Sequence, residues 1–376
     1  MCCSNVLLLV LQRLIQHVLT KHEDLIHDIA YDFYGKRLVT CSSDQRIKVW
    51  DLDDVNGWVC TSQWKAHSGP IWRVDWAAPE FGQVIASCSS DRTICVWEES
   101  EGAFSLHFRS SRCACCPERS MIVNSHLFLL FLVFVVLMRA PNVSFCIVCV
   151  GDQGKKWKLK ATLGDAHDIL SVKFAPSHLG LKLASCSNDG IVRIYEALDI
   201  TNLSQWSITD QFEATEGESK GTTCLAWNSS PFDAATIAVG TQSSAPQIWQ
   251  YSDKFRKWEL AAVLGKDASQ KDGGHKDSIH DIAWAPNLGR SYHLIATASK
   301  DRTAKIWQLE PNAKGKWNVK EVASFPDHNN EVWRVEWNIT GTILASSGDD
   351  GTVRLWKCSY QNEWQCLNVI TGSGGD

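Results

Sequence analysis

Short runs that alternate apolar and polar residues recur along the chain, and each closes on an aromatic. The first series, IHDIAY, IWRVDW, ILSVKF, TTCLAW, IHDIAW and VWRVEW, ends at Tyr31, Trp76, Phe174, Trp227, Trp284 and Trp337. A second series, including RIKVW, TICVW, IVRIY, TAKIW and TVRLW, ends at Trp50, Trp97, Tyr195, Trp249, Trp307 and Trp356. Period-two alternation predicts half-buried strands. Paired aromatics are 19, 21, 21, 22, 23 and 19 residues apart, whereas the gaps between units are 26, 77, 32, 35 and 30. A nearly constant interior with variable joints marks a rigid unit repeated along the chain.

The unit can be read in finer detail. Its first strand stops at the aromatic. A Pro- and Gly-bearing turn follows, such as Ala78-Pro79-Glu80-Phe81-Gly82, which supplies turn geometry. Then come a second strand such as VIASCS or LIATAS and a tight turn with Asp44, Asp91, Asp189, Asp301 or Asp350. A third strand ends on Trp or Tyr, and a weaker fourth strand reads as in WVCTSQW. Six four-stranded units predict an all-β, six-bladed propeller. Propellers close with about four to eight blades, so six can close alone; left open, the ring would expose sheet edges that template pairing with another chain.

In four units a histidine stands upstream. His22, His67, His275 and His328 lie four residues before Ile26, Ile71, Ile279 and Val332; His167 is two residues off this register, and the fourth unit has none. Hydroxyls recur at Thr40, Ser87, Ser185, Thr297 and Ser346. A Ser-His-Asp nucleophile is excluded because the same trio returns in blade after blade. The chain is expected to be non-enzymatic, with no catalytic, cofactor or metal site.

Aligning the first strands places Asp28, Arg73, Ser171, Cys224, Asp281 and Arg334 at one position. Neighbouring blades would then pair Asp28 with Arg73 and Asp281 with Arg334 near the channel. A second reading makes Trp72, Arg73, Trp333 and Arg334 a partner-binding ring, since Trp and Arg are favoured at binding hot spots. Both stand at this point.

Composition narrows the classes. The net charge is -5, and acidic and basic residues are interspersed. No basic patch suggests direct nucleic-acid binding. The 15 cysteines are an odd number, too sparse for a disulfide scaffold. Cys41, Cys88 and Cys186 share their repeat position with Ala298 and Ser347, so the position selects a small buried side chain. Reduced, intracellular cysteines are expected. The Asn-x-Ser/Thr triplets at Asn142, Asn202, Asn228 and Asn338 are then chance matches.

Two segments do not fit. Residues 103–152 contain Leu127–Met138, 12 uninterrupted apolar residues, against about 20 for a membrane span. The segment reads as an inter-blade insertion between blades two and three, a membrane hairpin, or translated non-coding sequence. An artefact or a disordered insert is preferred. Its Cys113, Cys115, Cys116, Cys146 and Cys149 do not suggest a zinc site across that apolar stretch. Residues 1–20 form an atypical leader without a signal-peptide pattern. The expected organisation is thus 1–20 leader, 21–102 blades one and two, 103–152 insert, 153–366 blades three to six, and 367–376 flexible tail.

The pattern His … Ser/Thr-x-Ser-x-Asp … Trp resembles the WD-repeat family. The resemblance implies a structural network in which histidine joins the turn aspartate and a hydroxyl, and onward the tryptophan. On this chain that assigns structural roles to His22, Asp44 and Trp50; His67, Asp91 and Trp97; Asp189 and Tyr195; His275, Asp301 and Trp307; and His328, Asp350 and Trp356. Satisfying such buried groups avoids about 1–3 kcal/mol each.

Longer strings, among them HEDLIHDIAYDFYGKRLVTCSSDQRIKVWD, DITNLSQW and APNLGRSYH, resemble the small WD-repeat nucleoporins of the Y-shaped nuclear pore subcomplex. These are paralogues of the WD-repeat subunit of the COPII outer coat. The likeness covers about 21–102 and 153–366. It implies an open six-bladed ring, completed by a β-blade from a helical scaffold nucleoporin. It further implies other Y-subcomplex partners, nuclear-envelope location with indirect membrane association, and a shared role in a nutrient-sensing complex at the lysosome or vacuole. The alternatives are a COPII coat subunit and a ubiquitin-ligase substrate adaptor. The adaptor would favour Trp-Asp-x-Arg, whereas Trp50-Asp51-Leu52-Asp53 lacks the Arg and the other repeats lack the Asp.

Overall fold

The computed structural model describes residues 22–100, 104–110, 119–123, 145–149, 156–215, 221–265, 274–311, 317–361 and 363–371. The repeat becomes six four-stranded antiparallel sheets. Blade one is Ile26–Tyr31, Arg37–Ser42, Arg46–Asp53 and Gly57–Lys65. The inner strands of the next five are Ile71–Trp76, Ile169–Phe174, Thr222–Trp227, Ile279–Trp284 and Val332–Trp337. These strands form because one face of each alternating run is apolar and must be buried.

Every inner strand has a register shift at the same place, between Ile26 and Asp28 in blade one and between Ile279 and Asp281 in blade five. Such a bulge increases twist and re-aims side chains. Here it serves the residues that line the channel. A second shift precedes the third-strand aromatic, as at Ile306/Trp307 and Leu355/Trp356.

The core lies between blades rather than inside any one sheet. One cluster joins Val84 and Ile94 of blade two to Ile169 and Val172 of blade three. Others join blades three and four, four and five, and five and six. All six third-strand aromatics are buried. Of the first-strand aromatics, Tyr31 and Trp76 are half-buried. Cys41, Cys88, Cys186 and Ala298 are fully buried. Blade four has Gly240 at this position because a Cβ there would sit 2.3 Å from Cys224 Sγ.

The boundaries differ from the expectation in two places. Lys156–Gly164 pairs with Thr93–Ser100 as the outer strand of blade two. The inserted segment therefore interrupts blade two between its third and fourth strands, instead of separating blades two and three. The reason is the alternation of KWKLKATLG, which turns Ala161 and Leu163 to the core cluster while Thr162 between them is exposed. At the other end, Trp364–Thr371 is the outer strand of blade six, so the expected tail from 367 begins inside a strand.

Residues 98–158 form a second compact unit. Its described strands, Phe104–Ser110, Arg119–Val123 and Phe145–Cys149, make a three-stranded antiparallel sheet with Phe104–Ser110 in the middle. Leu127–Met138 and residues 1–20 lie outside the described residues. Among those described, no helix is long and apolar enough to cross a membrane.

Candidate functional site: the channel wall and the seam

The histidine relay is built in four blades. In blade five, His275 Nδ1 lies 2.9 Å from Asp301 Oδ2, and Nε2 lies 2.7 Å from Thr297 Oγ1. Trp307 Nε1 is 2.9 Å from the same hydroxyl. An indole N–H can only donate. The hydroxyl therefore accepts from Trp307 and donates to Nε2, leaving Nδ1–H to donate to the carboxylate. Blades one, two and six repeat this with His22, Thr40, Asp44 and Trp50; His67, Ser87, Asp91 and Trp97; and His328, Ser346, Asp350 and Trp356. Burial pushes His22 and His67 below the ordinary imidazole range despite their aspartates. Burial opposes ionisation of Asp44, yet its bonds to His22, Arg46 and Glu23 hold the carboxyl low.

Blades three and four solve the problem differently. His167 is exposed, and Arg193 takes its place, 2.7 Å from both Asp165 and Asp189. Ser185 and Tyr195 are buried without a histidine between them and Asp189. In blade four the Trp249 indole donates instead to Gln247 Oε1 at 2.9 Å. Neither Arg193 nor Gln247 was singled out in the sequence; both occupy the position two before the third-strand aromatic, which the other blades fill with Lys48, Cys95, Lys305 and Arg354.

At the channel, the aligned position forms a charge quartet. The expected neighbour pairs exist, but at the outer limit: Arg73–Asp28 and Arg334–Asp281 are each 3.9 Å. The closer contacts join other blades, Arg73–Asp281 at 2.8 Å and Arg334–Asp28 at 3.4 Å. The pairing is thus corrected: each arginine is shared between both aspartates, because the channel is narrow enough for side chains to reach across it. Burial alone would lower the Arg73 guanidinium; Asp281 and then Asp28 reverse this and keep it charged. Trp72 and Trp333 each pack on a histidine of the preceding blade, Trp72 with His27 at 4.7 Å and Trp333 with His280 at 4.1 Å. Trp333 also donates to Asp349 Oδ1 and remains 46% exposed. These contacts favour the inter-blade reading of the six residues.

A second layer was not read from the sequence. Asp75 of blade two accepts from Lys173 Nζ at 2.9 Å and from the Phe174 amide at 2.8 Å, both in blade three. Asp28 and Asp281 accept the amides of Val74 and Val335 in the next blade, each at 3.1 Å. In the opposite direction, Trp76, Trp227 and Trp337 donate their indole N–H to the carbonyls of Ala30, Lys173 and Ala283 in the preceding blade. Alignment of the fifth and sixth strand positions would have revealed this pattern.

Inner strands pack side by side from blade one through blade six. The first and the last are not packed on each other in that way. All six sheets use strands consecutive in sequence apart from the interruption in blade two, so no strand from one end of the described chain completes the sheet at the other. We call the place between blades six and one the seam; Arg334 crosses it by donating to the His27 carbonyl at 2.5 Å.

Burial pushes the thiols of Cys41, Cys88, Cys186 and Cys224 up, which disfavours the thiolate needed for metal binding or nucleophilic attack. No group of potential metal ligands gathers among the described residues.

Similarity to known proteins agrees with this architecture. The model of the WD domain, G-beta repeat, matches residues 14–51, 58–98, 157–196, 269–308 and 319–357. The chain belongs to the WD40-repeat family. The unmatched stretch contains blade four, which lacks both the histidine and the turn aspartate. Within this WD40 family the chain is 42% identical over 370 residues to nucleoporin SEH1-A of Xenopus laevis, covering 94% of this chain and 87% of that protein. It is 43% identical to nucleoporin SEH1 of Bos taurus and 42% identical to that of Homo sapiens, with the same coverage.

Proposed function

We propose that this WD40 protein is a non-enzymatic scaffold subunit of the nuclear pore, working in the Y-shaped subcomplex and supporting transport of protein and mRNA between nucleus and cytoplasm. The observation that carries the proposal is 42% identity to vertebrate SEH1 nucleoporins across 94% of the chain. The six-sheet ring with an unpaired seam supports it. A helical scaffold nucleoporin occupies the seam with a strand blade, the other Y-subcomplex subunits follow, and the membrane is reached indirectly. The repeated polar groups serve packing rather than chemistry. Membership of a nutrient-sensing complex at the lysosome or vacuole belongs to the same proposal, through the family resemblance alone.

The test is purification of the tagged full chain from nucleated cells, with mass spectrometry and imaging. Enrichment of Y-subcomplex subunits and a nuclear-rim signal is expected. COPII coat subunits with vesicle-budding sites would replace the pore assignment by the coat alternative, and ubiquitin-ligase subunits would replace it by the adaptor alternative.

A further inference from the structure

We propose that the end of the channel facing the first turns of the blades is a binding site for a lysine or arginine side chain, carried on a short apolar segment of another protein. Glu336 is the carboxylate that takes the cationic head. The inference goes beyond the scaffold reading and does not depend on which assembly the ring serves.

Two layers of side chains line the channel. At the third position of the inner strands, Asp28 and Asp281 answer Arg73 and Arg334, two charges of each sign. Arg73 and Asp281 span the channel at that level. The fifth position reads Ala30, Asp75, Lys173, Ala226, Ala283 and Glu336. Asp75 and Lys173 answer each other at 2.9 Å. Glu336 is exposed to the channel and makes no hydrogen bond or ion pair among the described residues. The fifth-position layer therefore carries one carboxylate in excess, beside three alanines that leave it room.

The two layers bound a cavity of about 1070 Å³, at the upper end of the about 300–1,000 Å³ of ligand pockets. The inner strands all run the same way, as their matching sixth-to-fifth-position hydrogen bonds show, so the first turns of the blades lie at one end. There the cavity opens between Phe33, Pro79, Pro176 and Pro231.

Charge and surface define the occupant. Enclosure by the channel wall strips water from the Glu336 carboxyl and pushes it up to about 7; Lys173 pulls it down, while Asp28, Asp281 and Asp75 push it further. A single positive charge seated there relieves that repulsion, an anion would add to it, and a neutral ligand would leave it in place. Attraction inside such a cleft is stronger than at an open surface, and Glu80 at the mouth adds to it. The mouth then selects the source of the charge. Phe33, Phe232, Leu288 and Ile339, in the first turns of blades one, four, five and six, are all exposed. A free diamine has no surface to cover these turns, whereas a peptide with apolar residues beside its basic one covers them and fills the cavity.

The experiment pans a random heptapeptide phage library on the immobilised full chain, with Glu336→Gln as counter-target. Peptides that prefer the wild type are labelled with a fluorophore and titrated by anisotropy. They are expected to share a lysine or arginine flanked by apolar residues. Glu336→Gln should weaken them about ten- to hundredfold, and Phe232→Ala, at a side chain 95% exposed, about three- to tenfold. Wild-type affinity should rise from about pH 6 to about pH 8 as Glu336 ionises. His27 and His178 also line the cavity; Glu336→Gln keeps both, so a flat profile in that variant assigns the rise to Glu336. Selected peptides without a basic residue, or equal binding to wild type and Glu336→Gln, would overturn the proposal. Spermidine or arginine amide binding as tightly as the peptides, with Phe232→Ala silent, would also overturn it, since the site would then take a free cation. Should Glu336→Gln lower the melting temperature, Phe232→Ala and the wild-type pH profile decide: unchanged affinity in the first and no rise in the second would refute the site.

Discussion

Blades four and five hold the same sheet by different means. Both bury a third-strand tryptophan, Trp249 and Trp307, and both provide an acceptor for its indole N–H. Blade five uses a hydroxyl backed by histidine and aspartate, tying the third strand, the second strand, the tight turn and the upstream loop together. Blade four uses Gln247, two residues away on the same strand, and ties nothing beyond it. The sheet therefore does not need the relay. The buried indole needs an acceptor; the relay additionally fixes the loop that enters the blade.

The largest effects should be shared by the two blades. Trp249→Ala and Trp307→Ala are each expected to cost about 3–5 kcal/mol in denaturant unfolding. A blade-four loss below about 1 kcal/mol would show that its tryptophan is not an equivalent anchor. Of similar size, Arg73→Met removes the central cation of the quartet and should cost about 3–5 kcal/mol, since it leaves Asp28 and Asp281 facing each other with Arg334 alone to compensate. A neutral result there would mean that the quartet does not hold the inner ring.

The next comparison separates the blades. Thr297→Val strands both the Trp307 N–H and His275 Nε2, whereas Gln247→Ala strands one indole N–H. With about 1–3 kcal/mol for each stranded buried group, the blade-five variant should lose roughly twice as much. Equal losses would mean that the hydroxyl contributes no more than the glutamine.

Acidification should then divide the blades without mutation. His22 and His67 are held below their unfolded value of 6.5, so the fold favours the neutral ring. Their contribution is complete above that value and falls as pH drops through the folded pKa. Asp44, Asp91, Asp189, Asp301 and Asp350 are held below 3.8 although burial opposes it, by their histidine, arginine, hydroxyl and amide partners; their contribution is lost only below that point. Hydrogen exchange across pH 7 to 4 should loosen the loops entering blades one and two first. Blade four, with no such groups, should keep its protection; simultaneous loosening of blade four would refute this order. The smallest effect is expected for Arg334→Met, about 1 kcal/mol, because that side chain is 30% exposed.

Much of this was readable from spacing. Six pairs of aromatics at a near-fixed interval located six sheets, and the recurrence of His, Asp and hydroxyl located a hydrogen-bond network that four blades build. Arg193 and Gln247 escaped because the position two before the third-strand aromatic holds Lys, Cys, Arg or Gln from blade to blade, and only in blades three and four does it stand in for the histidine relay. The outer strand Lys156–Gly164 was assigned to the wrong side of a joint, since a strand's alternation does not say which neighbour it pairs with.

What the residue order determines by itself is local: where strands begin and stop, which face is apolar, and which positions take a small side chain such as Cys41 or Ala298. Those follow from backbone periodicity and side-chain size within one unit. Which aspartate answers Arg73 depends on residues more than 200 positions apart meeting across a channel. Only the curvature of the assembled ring sets those distances, because it sums small twists over every sheet.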